Sequence, residues 1–416
     1  MAQRRFNTIP ALADTRQDIS GPFSVSLLDE WEGGERNLRR ATALLAPYRR
    51  EGIVAASDAA GLSRLTQERD LLEVLFLISQ PKQILHALGK GIGGQAVGVW
   101  VADNSETFYP AETEVDVVLS AAIEAQARIA ERGGVTIGIA LHAGVFYEIG
   151  GGLYGADAQV VEILAEDHAR AEEILITEEV RQRLRDPGIA SFERRADLDA
   201  HHASGVFSTR SSRRFAHLRA DDLAYPHGFP PEFFAALHTI KDHAKREDLK
   251  PIYDAHERER FVVFLARERT TRDADDLAAI LDDFLESSRM ATIIKENVHA
   301  PTHLVESSGG LAVLVFHSGR EAYDFACTVR YKLHVAKLSV KIGIDRGSVL
   351  LFERPGGGFD GIFGDAINLA SKISEDLGRP GRISITDRAA ETIEGASGDD
   401  RFSATISGIQ VSGVFV

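Results

Sequence analysis

The chain of 416 residues contains the same sequence pattern twice. The stretch that begins Tyr154-Gly-Ala-Asp returns as Phe363-Gly-Asp-Ala, so that Gly155 corresponds to Gly364. Ile176 and Ile385 correspond at the same offset. A constant offset over about thirty residues indicates a duplicated domain. We therefore expect two similar domains rather than one large core.

The composition narrows the classes of protein to which the chain can belong. Its net charge of −15 argues against a general nucleic-acid binder or an anionic-membrane binder, because both need a basic surface. No apolar run approaches the ~20 residues of a membrane span, and no apolar segment follows Arg4 and Arg5 as a secretory signal requires. Cys327 is the only cysteine, which excludes an intramolecular disulfide and makes the cytoplasm the expected compartment.

Hydrophobic periodicity predicts the same order of elements in both copies. In the first copy it predicts strands at 53–57, 83–88, 96–102, 135–141, 145–149 and 173–176, and helices at 62–79, 112–132, 156–167 and 178–184. In the second copy it predicts strands at 261–266, 303–306, 311–316 and 340–345, and helices at 273–290 and 321–334. The glycine-rich segment 89–94 reads as a hairpin turn. The order indicates an α+β fold of the ferredoxin-like, βαββαβ type.

These elements suggest four parts of the chain. Residues 1–48 form an N-terminal helical lead, 49–215 the first domain, 216–257 a proline-broken linker and 258–416 the second domain. The segment 204–214, rich in Ser and Arg, either completes the first domain or loops out. Within the domains, segment 135–139 matches segment 340–344.

Three motifs resemble the catalytic domains of class III adenylyl and guanylyl cyclases. They are the segments 57–66, 89–97 and, with the greatest specificity, 364–372 with its flanks at 341–344 and 380–386. The resemblance covers about 45–185 and 258–395. It implies two domains packed head to tail as an intramolecular pseudo-dimer, with composite nucleotide sites at their interface. One half of a site supplies two aspartates for two Mg²⁺ ions, and the other half holds the base, the ribose and the transition-state phosphate.

At the positions that hold the two metal ions in the family, this sequence has few carboxylates. In the first copy the first metal aspartate matches Asp58, whereas the second falls at Gly94. In the second copy the pair falls at Ala266 and Gly310. One carboxylate suits one Mg²⁺ at most.

The base and ribose positions are better kept in the second copy. The adenine lysine matches Lys90 in the first copy but Glu306 in the second, and the adenine aspartate matches Asp360, one position out of register. The ribose asparagine matches Asn368, and the arginine falls at Lys372. The first copy has Gly152, Gln159 and Ile163 at the last three of these positions.

Phosphates can also be held by the turns that follow the first strand of each copy. In the first copy this turn is 59–62, whose backbone N–H groups lead into a helix. In the second copy it is 267–272, where arginines can bind phosphate without a metal. The predicted nucleotide-binding residues are Asp58, Ala59, Ala60, Gly61, Leu62, Lys90, Arg267, Arg269, Thr270, Glu306, Asp360, Ile362, Asn368 and Lys372, with Asp58 as the metal ligand.

Simpler roles stay open for several of these residues. Asp58 also suits a helix N-cap, Lys90 and Lys372 also suit solvated surface lysines, and the arginines of 267–272 also suit a charged face. His201 and His202 look like a metal pair, but no third ligand has suitable spacing, and a solvated loop is predicted.

The resemblance therefore implies an ATP-binding, cyclase-like protein with little or no cyclase activity, acting as a nucleotide sensor or regulator. No catalytic residue is expected, and Mg²⁺ is expected at one position at most. One alternative is an active adenylyl cyclase with a reduced site that uses Asp58, Asn368 and Lys372. The other is an interaction module with empty sites and an unknown protein partner. A monomer is expected, because the two copies satisfy each other's interface.

Overall fold

The computed structural model of the chain describes residues 25–60, 65, 68–98, 100, 104–199, 202, 204–218, 224–240, 246–268, 277–298, 304–308, 310–353, 359–396, 398, 400–406 and 409–416. The first copy is preceded by helices α1 (Val25–Glu32) and α2 (Leu38–Leu45). Its strands are β1 (Arg49–Ala60), β2 (Gln95–Ala96), β3 (Ser105–Pro110), β4 (Thr136–Ile149), β5 (Gly152–Tyr154), β6 (Ile174–Thr177), β7 (Ser191–Arg194) and β8 (Val206–Arg210). Its helices are α3 (Leu71–Gly91), α4 (Val115–Arg132), α5 (Ala156–Ile163) and α6 (Glu178–Arg181).

The second copy repeats this arrangement and is preceded by helices α7 (Pro231–Leu237) and α8 (Arg246–His256). Its strands are β9 (Glu257–Arg267), β10 (Leu304–Ser308), β11 (Leu311–Phe316), β12 (Val340–Glu353), β13 (Phe359–Phe363), β14 (Ile383–Thr386), β15 (Arg401–Ile406) and β16 (Ile409–Phe415). Its helices are α9 (Leu277–Asn297), α10 (Gly319–Val335), α11 (Asp365–Glu375) and α12 (Asp387–Ala390).

The two sheets have equivalent strand orders. The first runs β2-β3-β1-β4-β6-β8-β7 with β5 on β4, and the second runs β10-β11-β9-β12-β14-β16-β15 with β13 on β12. In each sheet the pairing of the long central strand with β6 or β14 is parallel, whereas the other pairings are antiparallel. The predicted α+β tandem fold is confirmed.

Each sheet has one face under two long helices and the other under a single helix. In the first copy the apolar residues of α3 and α4 cover the face that contains Ile53, while α5 covers the face that contains Val54. Neighbouring residues of a strand point to opposite faces, which explains this division. In the second copy α10 lies on the face of Val263, and α11 lies on the face of Val262.

The β4–β5 hairpin of the first copy and the β12–β13 hairpin of the second reach across to each other's domains. Tyr154 of β5 packs its ring against Phe284 of α9, with 4.9 Å between the ring centroids. Phe352 of β12 belongs to the same buried cluster as Leu72 of α3. The reciprocal contacts make the packing head to tail, as the resemblance implies.

The helices that precede each copy join these contacts in the same way. Trp31 of α1 is completely buried beside α9, and its indole N–H donates to Asp282 over 2.9 Å. At the equivalent position before the second copy, Tyr253 of α8 hydrogen-bonds to Asp70 at the start of α3. The segment predicted to be a linker is therefore also the structural counterpart of the N-terminal lead.

The strands predicted at 135–141 and 145–149 form one continuous strand, β4, and two other local predictions are also wrong. Segment 83–88 is not a strand but the second half of α3, which continues through Pro81 to Gly91 because its apolar residues pack on α4. The predicted match of segment 135–139 with segment 340–344 is wrong by two residues. The pairing of the strands makes Ile139 the counterpart of Ile342, whereas the predicted match made it the counterpart of Ile344. Both isoleucines pair with the first isoleucine of the parallel neighbouring strand.

The open question about segment 204–214 has a definite answer. Its first part forms β8, and Arg214 then pairs with Glu124 of α4 over 3.0 Å. Two arginines and the backbone N–H of Phe215 bond to this completely buried carboxylate, and they hold the pKa of Glu124 low, at about 2. The segment therefore completes the first copy.

None of the helices in the described part of the chain has the length and apolar character that a membrane crossing needs.

Candidate functional site

Asp58 lies near the end of β1, where the sheet begins to open. The pairs between β1 and β3 end at Ser57 and Ser105, whereas β4 still pairs with β1 as far as Ala60. The alternation of the strand places Asp58 on the same face as Val54 and Ala56, which is the face under α5. The side chain is half-buried. The predicted metal ligand therefore lies near the end of a central strand, beneath a helix.

Two glutamates, one from α5 and one from the short helical turn after it, lie on the same side of the sheet as Asp58. Glu162 and Glu166 line a pocket together with Asn104, which directly precedes β3. Burial, followed by the negative charges of Glu162 and Asp58, raises the pKa of Glu166 to about 8. Sequence reasoning missed these groups, because two glutamates one turn apart on a helix are ordinary surface residues.

The pocket contains the kind of oxygen atoms that bind a hard divalent cation. Asn104 hydrogen-bonds to Glu166, yet its Oδ1 is buried and has no hydrogen-bond partner among the described residues. Carboxylate and amide oxygens are the ligands that Mg²⁺ and Mn²⁺ prefer. A divalent cation would also favour the ionised form of Glu166, which burial and the neighbouring carboxylates disfavour. Asp58, Asn104 and Glu166 therefore fit the Mg²⁺ ion that the resemblance implies.

The other metal position was matched to Gly94, and the structure places this residue elsewhere. A Cβ atom added to Gly94 would lie 2.8 Å from Thr107 and 2.6 Å from Tyr109. Thr107 pairs with Ala55 of β1, which is about 10 Å from Asp58 at 3.3 Å per residue. Gly94 is therefore part of the turn that caps α3, and the assignment of the second metal position to it is wrong.

The pairing of the strands gives a different counterpart for this position. In the second copy Gly310 directly precedes β11 and accepts a hydrogen bond from the N–H of Arg267 over 2.7 Å. In the first copy the residues directly before β3 are Asp103 and Asn104, of which Asp103 lies outside the described residues. The sequence match failed here because the first copy has a longer connection between its second and third strands.

Lys90 occupies the last turn of α3 and is exposed. It precedes β2 by five residues, so it does not lie on the strand that corresponds to the strand of Glu306. We therefore leave Lys90 out of the candidate site.

The corresponding metal positions of the second copy are apolar. Ala266 takes the place of Asp58 and is buried in a cluster with Ile362 and Ala370. Arg267, which was predicted to bind phosphate, is buried and directed into its own domain. It pairs with Asp283 and with Glu286, the latter over 2.7 Å. Neither residue is placed to bind a nucleotide through its side chain.

The second copy does bring its predicted base and ribose residues to one end of the fold. Strands β10 with Glu306 and β13 with Asp360 contact each other, and only the backbone of these two residues is described. Asn368 is exposed and Lys372 is half-buried, one turn apart on α11. The buried residues of the helix, such as Ala370, face its own sheet, so Asn368 and Lys372 face away from it.

The remaining predicted residues are Ile362 and those of the two turns predicted after the first strand of each copy. Ala59 and Ala60 are the last residues of β1 and pair with β4, so they extend the strand instead of forming a turn. Ile362 is a buried core residue of the second copy. The predicted residues that lie outside the described part of the chain are Gly61, Leu62, Arg269 and Thr270.

No protein-family model matches this chain, and no curated protein matches it. Among solved structures, a class III adenylyl cyclase-like ATP-binding protein from Pseudomonas aeruginosa aligns with a TM-score of 0.50 and 14% identity. That alignment covers 84% of this chain and 86% of that chain. The adenylyl cyclase CyaB from P. aeruginosa aligns at 16% identity and a TM-score of 0.35, over 42% of this chain and 97% of that chain. At 14% identity the likeness to the ATP-binding protein shows the fold, which is that of a tandem class III cyclase-like protein.

Proposed function

We propose that this chain, with the tandem fold of class III cyclase-like proteins, binds ATP together with a divalent cation between its two copies. The first copy provides the metal side of the site through Asp58. The second copy provides the base and ribose side through β10, β13 and α11. The observation that carries the proposal is the acidic pocket lined by Glu162 and Glu166, whose charge is felt together with that of Asp58, whereas Ala266 takes the place of Asp58 in an apolar cluster of the second copy.

The charge of the pocket determines how a nucleotide is bound. Asp58, Glu162 and Glu166 together repel a bare triphosphate, since like charges in a partly buried site interact strongly. When a Mg²⁺ ion is held by Asp58, Asn104 and Glu166, it neutralises the phosphates and binds their oxygens. ATP binding should therefore depend on a divalent cation.

We propose that the composite site has little or no cyclase activity and serves as a nucleotide sensor or regulator. Glu306 stands where the resemblance requires a cation for adenine, and Lys372 stands where it requires an arginine for phosphate. Lysine lacks the planar fork of arginine. Loss of one preorganised donor at a transition state typically costs ~10²–10³-fold in rate. Two such changes leave binding possible and turnover very slow.

One observation favours the alternative of an active adenylyl cyclase. Gly310 directly precedes β11, and in the sequence Asp103 and Asn104 directly precede β3, so a carboxylate of the first copy is available for the second metal position. If both Asp58 and Asp103 bind metal, the metal side of the site is complete. Conversion of ATP to cyclic AMP with Mn²⁺, abolished in Asp58→Ala and in Asp103→Ala, would establish this alternative. Absence of product in the wild type supports the proposal.

Calorimetric titration of the full chain with ATP tests the binding proposal. We expect one site in the presence of Mg²⁺, no measurable binding in excess EDTA, and affinity reduced about tenfold or more in Asp58→Asn, which is at least 1.4 kcal/mol. The exposed Asp29→Asn serves as the matched control and should bind like the wild type. No binding of ATP or GTP at millimolar concentration would leave only the interaction-module alternative. Binding that is unchanged in EDTA would refute the role given to Asp58.

A further inference from the structure

A second polar cluster lies on the same sheet face as Asp58 but is separate from it. His142 of β4 is four residues along the strand from the residue that pairs with Asp58, roughly 13 Å away. Glu179 of α6 and His202, from the loop before β8, lie beside it. One ligand atom from each of these three residues falls within 4.8 Å of the others. None of the three belongs to the proposed nucleotide site.

Hydrogen bonds fix the imidazole of His142 in one tautomer. Its Nε2 lies 3.0 Å from Oδ1 of Asp157, and the other oxygen of Asp157 accepts from the N–H of Val145 over 2.6 Å. A carboxylate only accepts, so Nε2 carries a proton, and in the neutral imidazole Nδ1 then carries the lone pair. Nδ1 lies 2.9 Å from the hydroxyl oxygen of Thr177 and 3.9 Å from Oε2 of Glu179. A carboxylate that holds the far nitrogen of a histidine is the usual support for a metal-bound imidazole.

The distances between the ligand atoms suit a small ion. Nε2 of His202 is 2.8 Å from Oε2 of Glu179, and that oxygen is 3.9 Å from Nδ1 of His142. Zinc binds imidazole nitrogen and carboxylate oxygen at about 2.0–2.2 Å, which puts two ligands of a tetrahedral site about 3.4 Å apart. The observed separations lie on either side of this value. Shifts of about half an ångström bring these two separations to the value expected for zinc, and the third pair of ligand atoms lies within 4.8 Å.

In the second copy the corresponding place in the fold holds a carboxylate and a cation. In the register of the sheets, His142 corresponds to Asp345 and Glu179 corresponds to Arg388. Asp345 is completely buried, and Arg388 pairs with it while Thr386 bonds to it over 2.5 Å. In the first copy the carboxylate of Glu179 stands at the position of that arginine, and the ion-pair partners that the described residues offer it are His142 and His202.

We propose that His142, Glu179 and His202 bind a divalent transition-metal ion, with Zn²⁺ as the best match, and that Asp157 positions His142. Two imidazoles and one carboxylate form a ligand set that zinc uses with a water or another oxygen in the fourth position. The ion connects β4, α6 and the loop before β8, and so takes the part that Arg388 plays in the second copy. Its role in this place is structural.

Metal titration of the full chain, after dialysis against EDTA, tests the proposal. We expect one equivalent of Zn²⁺ to bind with micromolar or tighter affinity, and Co²⁺ to give the visible absorption of a nitrogen–oxygen site of low coordination number. Asp157→Asn should weaken binding by about 10–100-fold, and His202→Ala should weaken it further. The exposed His317→Ala is the matched control and should bind like the wild type.

Circular dichroism in EDTA shows whether each variant is folded, and Glu179→Gln provides a second ligand variant if His202→Ala is not. In the wild type, Zn²⁺ should raise the thermal midpoint, and it should not do so in the ligand variants. No stoichiometric binding by the wild type would overturn the proposal. Affinity that is unchanged in folded His202→Ala or Glu179→Gln would overturn it as well, and would leave the cluster as a hydrogen-bonded network.

Discussion

The side chain of Phe352 lies in the buried cluster that contains both the core of the first copy and residues of the second, and its removal should weaken the packing between the copies. Phe352 belongs to the second copy but is 1% exposed, inside the core cluster of the first. Its ring lies 4.4 Å from that of Phe233 and 4.7 Å from that of His256, between centroids. Replacing a buried phenylalanine by alanine costs about 3–5 kcal/mol. We expect Phe352→Ala to lose this amount, a large share of the ~5–15 kcal/mol typical of a domain.

Urea unfolding followed by far-ultraviolet circular dichroism and by tryptophan fluorescence measures this loss. Phe402→Ala is the matched control, because Phe402 packs on Phe415 inside the second copy alone. It should lower stability without separating the copies, whereas Phe352→Ala should also make the segment between them more sensitive to limited proteolysis. A loss of less than about 1 kcal/mol in Phe352→Ala, or equal proteolysis of the two variants, would refute the packing described here.

Three further results are expected. Because the pKa of Glu166 is raised in the folded protein, folding favours its protonated form, and the free energy of unfolding should fall as the pH rises from about 4.5 to about 8. In urea titrations Glu166→Gln should flatten this pH dependence. An equal slope in the wild type and the variant would contradict the prediction. Arg388→Met leaves Asp345 buried without its cation and should cost about 3 kcal/mol, with the double variant Asp345→Asn, Arg388→Met recovering part of the loss. Size-exclusion chromatography with light scattering should give the mass of one chain, and a dimer that pairs first copy with first copy would contradict a monomer.

The tandem architecture could be predicted from the sequence because the repeat persists in the apolar positions of both sheets. Where the prediction failed, a short apolar run was ambiguous. Segment 83–88 suits either a strand or a buried helix, and only its packing on Ala121 and Ala125 of α4 makes it helical. The match of 135–139 with 340–344 followed local likeness, whereas the pairing of the sheet sets the true register.

The candidate sites could be predicted only in part, for a related reason. Asp58 and Asn368 stand in recognisable motifs, so the sequence alone identifies them. The metal-binding role proposed for Glu166 depends on the fold, which places a helical turn beside the end of a central strand. Likewise His142 and His202 come from separate segments with no spacing typical of a metal motif, and only the folded chain brings them together.

The composite ATP site is the central claim, and photolabelling with 8-azido-ATP tests it most directly. Mass spectrometry of the labelled peptides should find the modification in the second copy, within 304–308 or 359–372, because the base faces that side. Labelling should require Mg²⁺ and should fall about tenfold or more in Asp58→Asn, although Asp58 belongs to the first copy. Labelling confined to the first copy, or labelling that Asp58→Asn and EDTA leave unchanged, would contradict a nucleotide shared between the two copies.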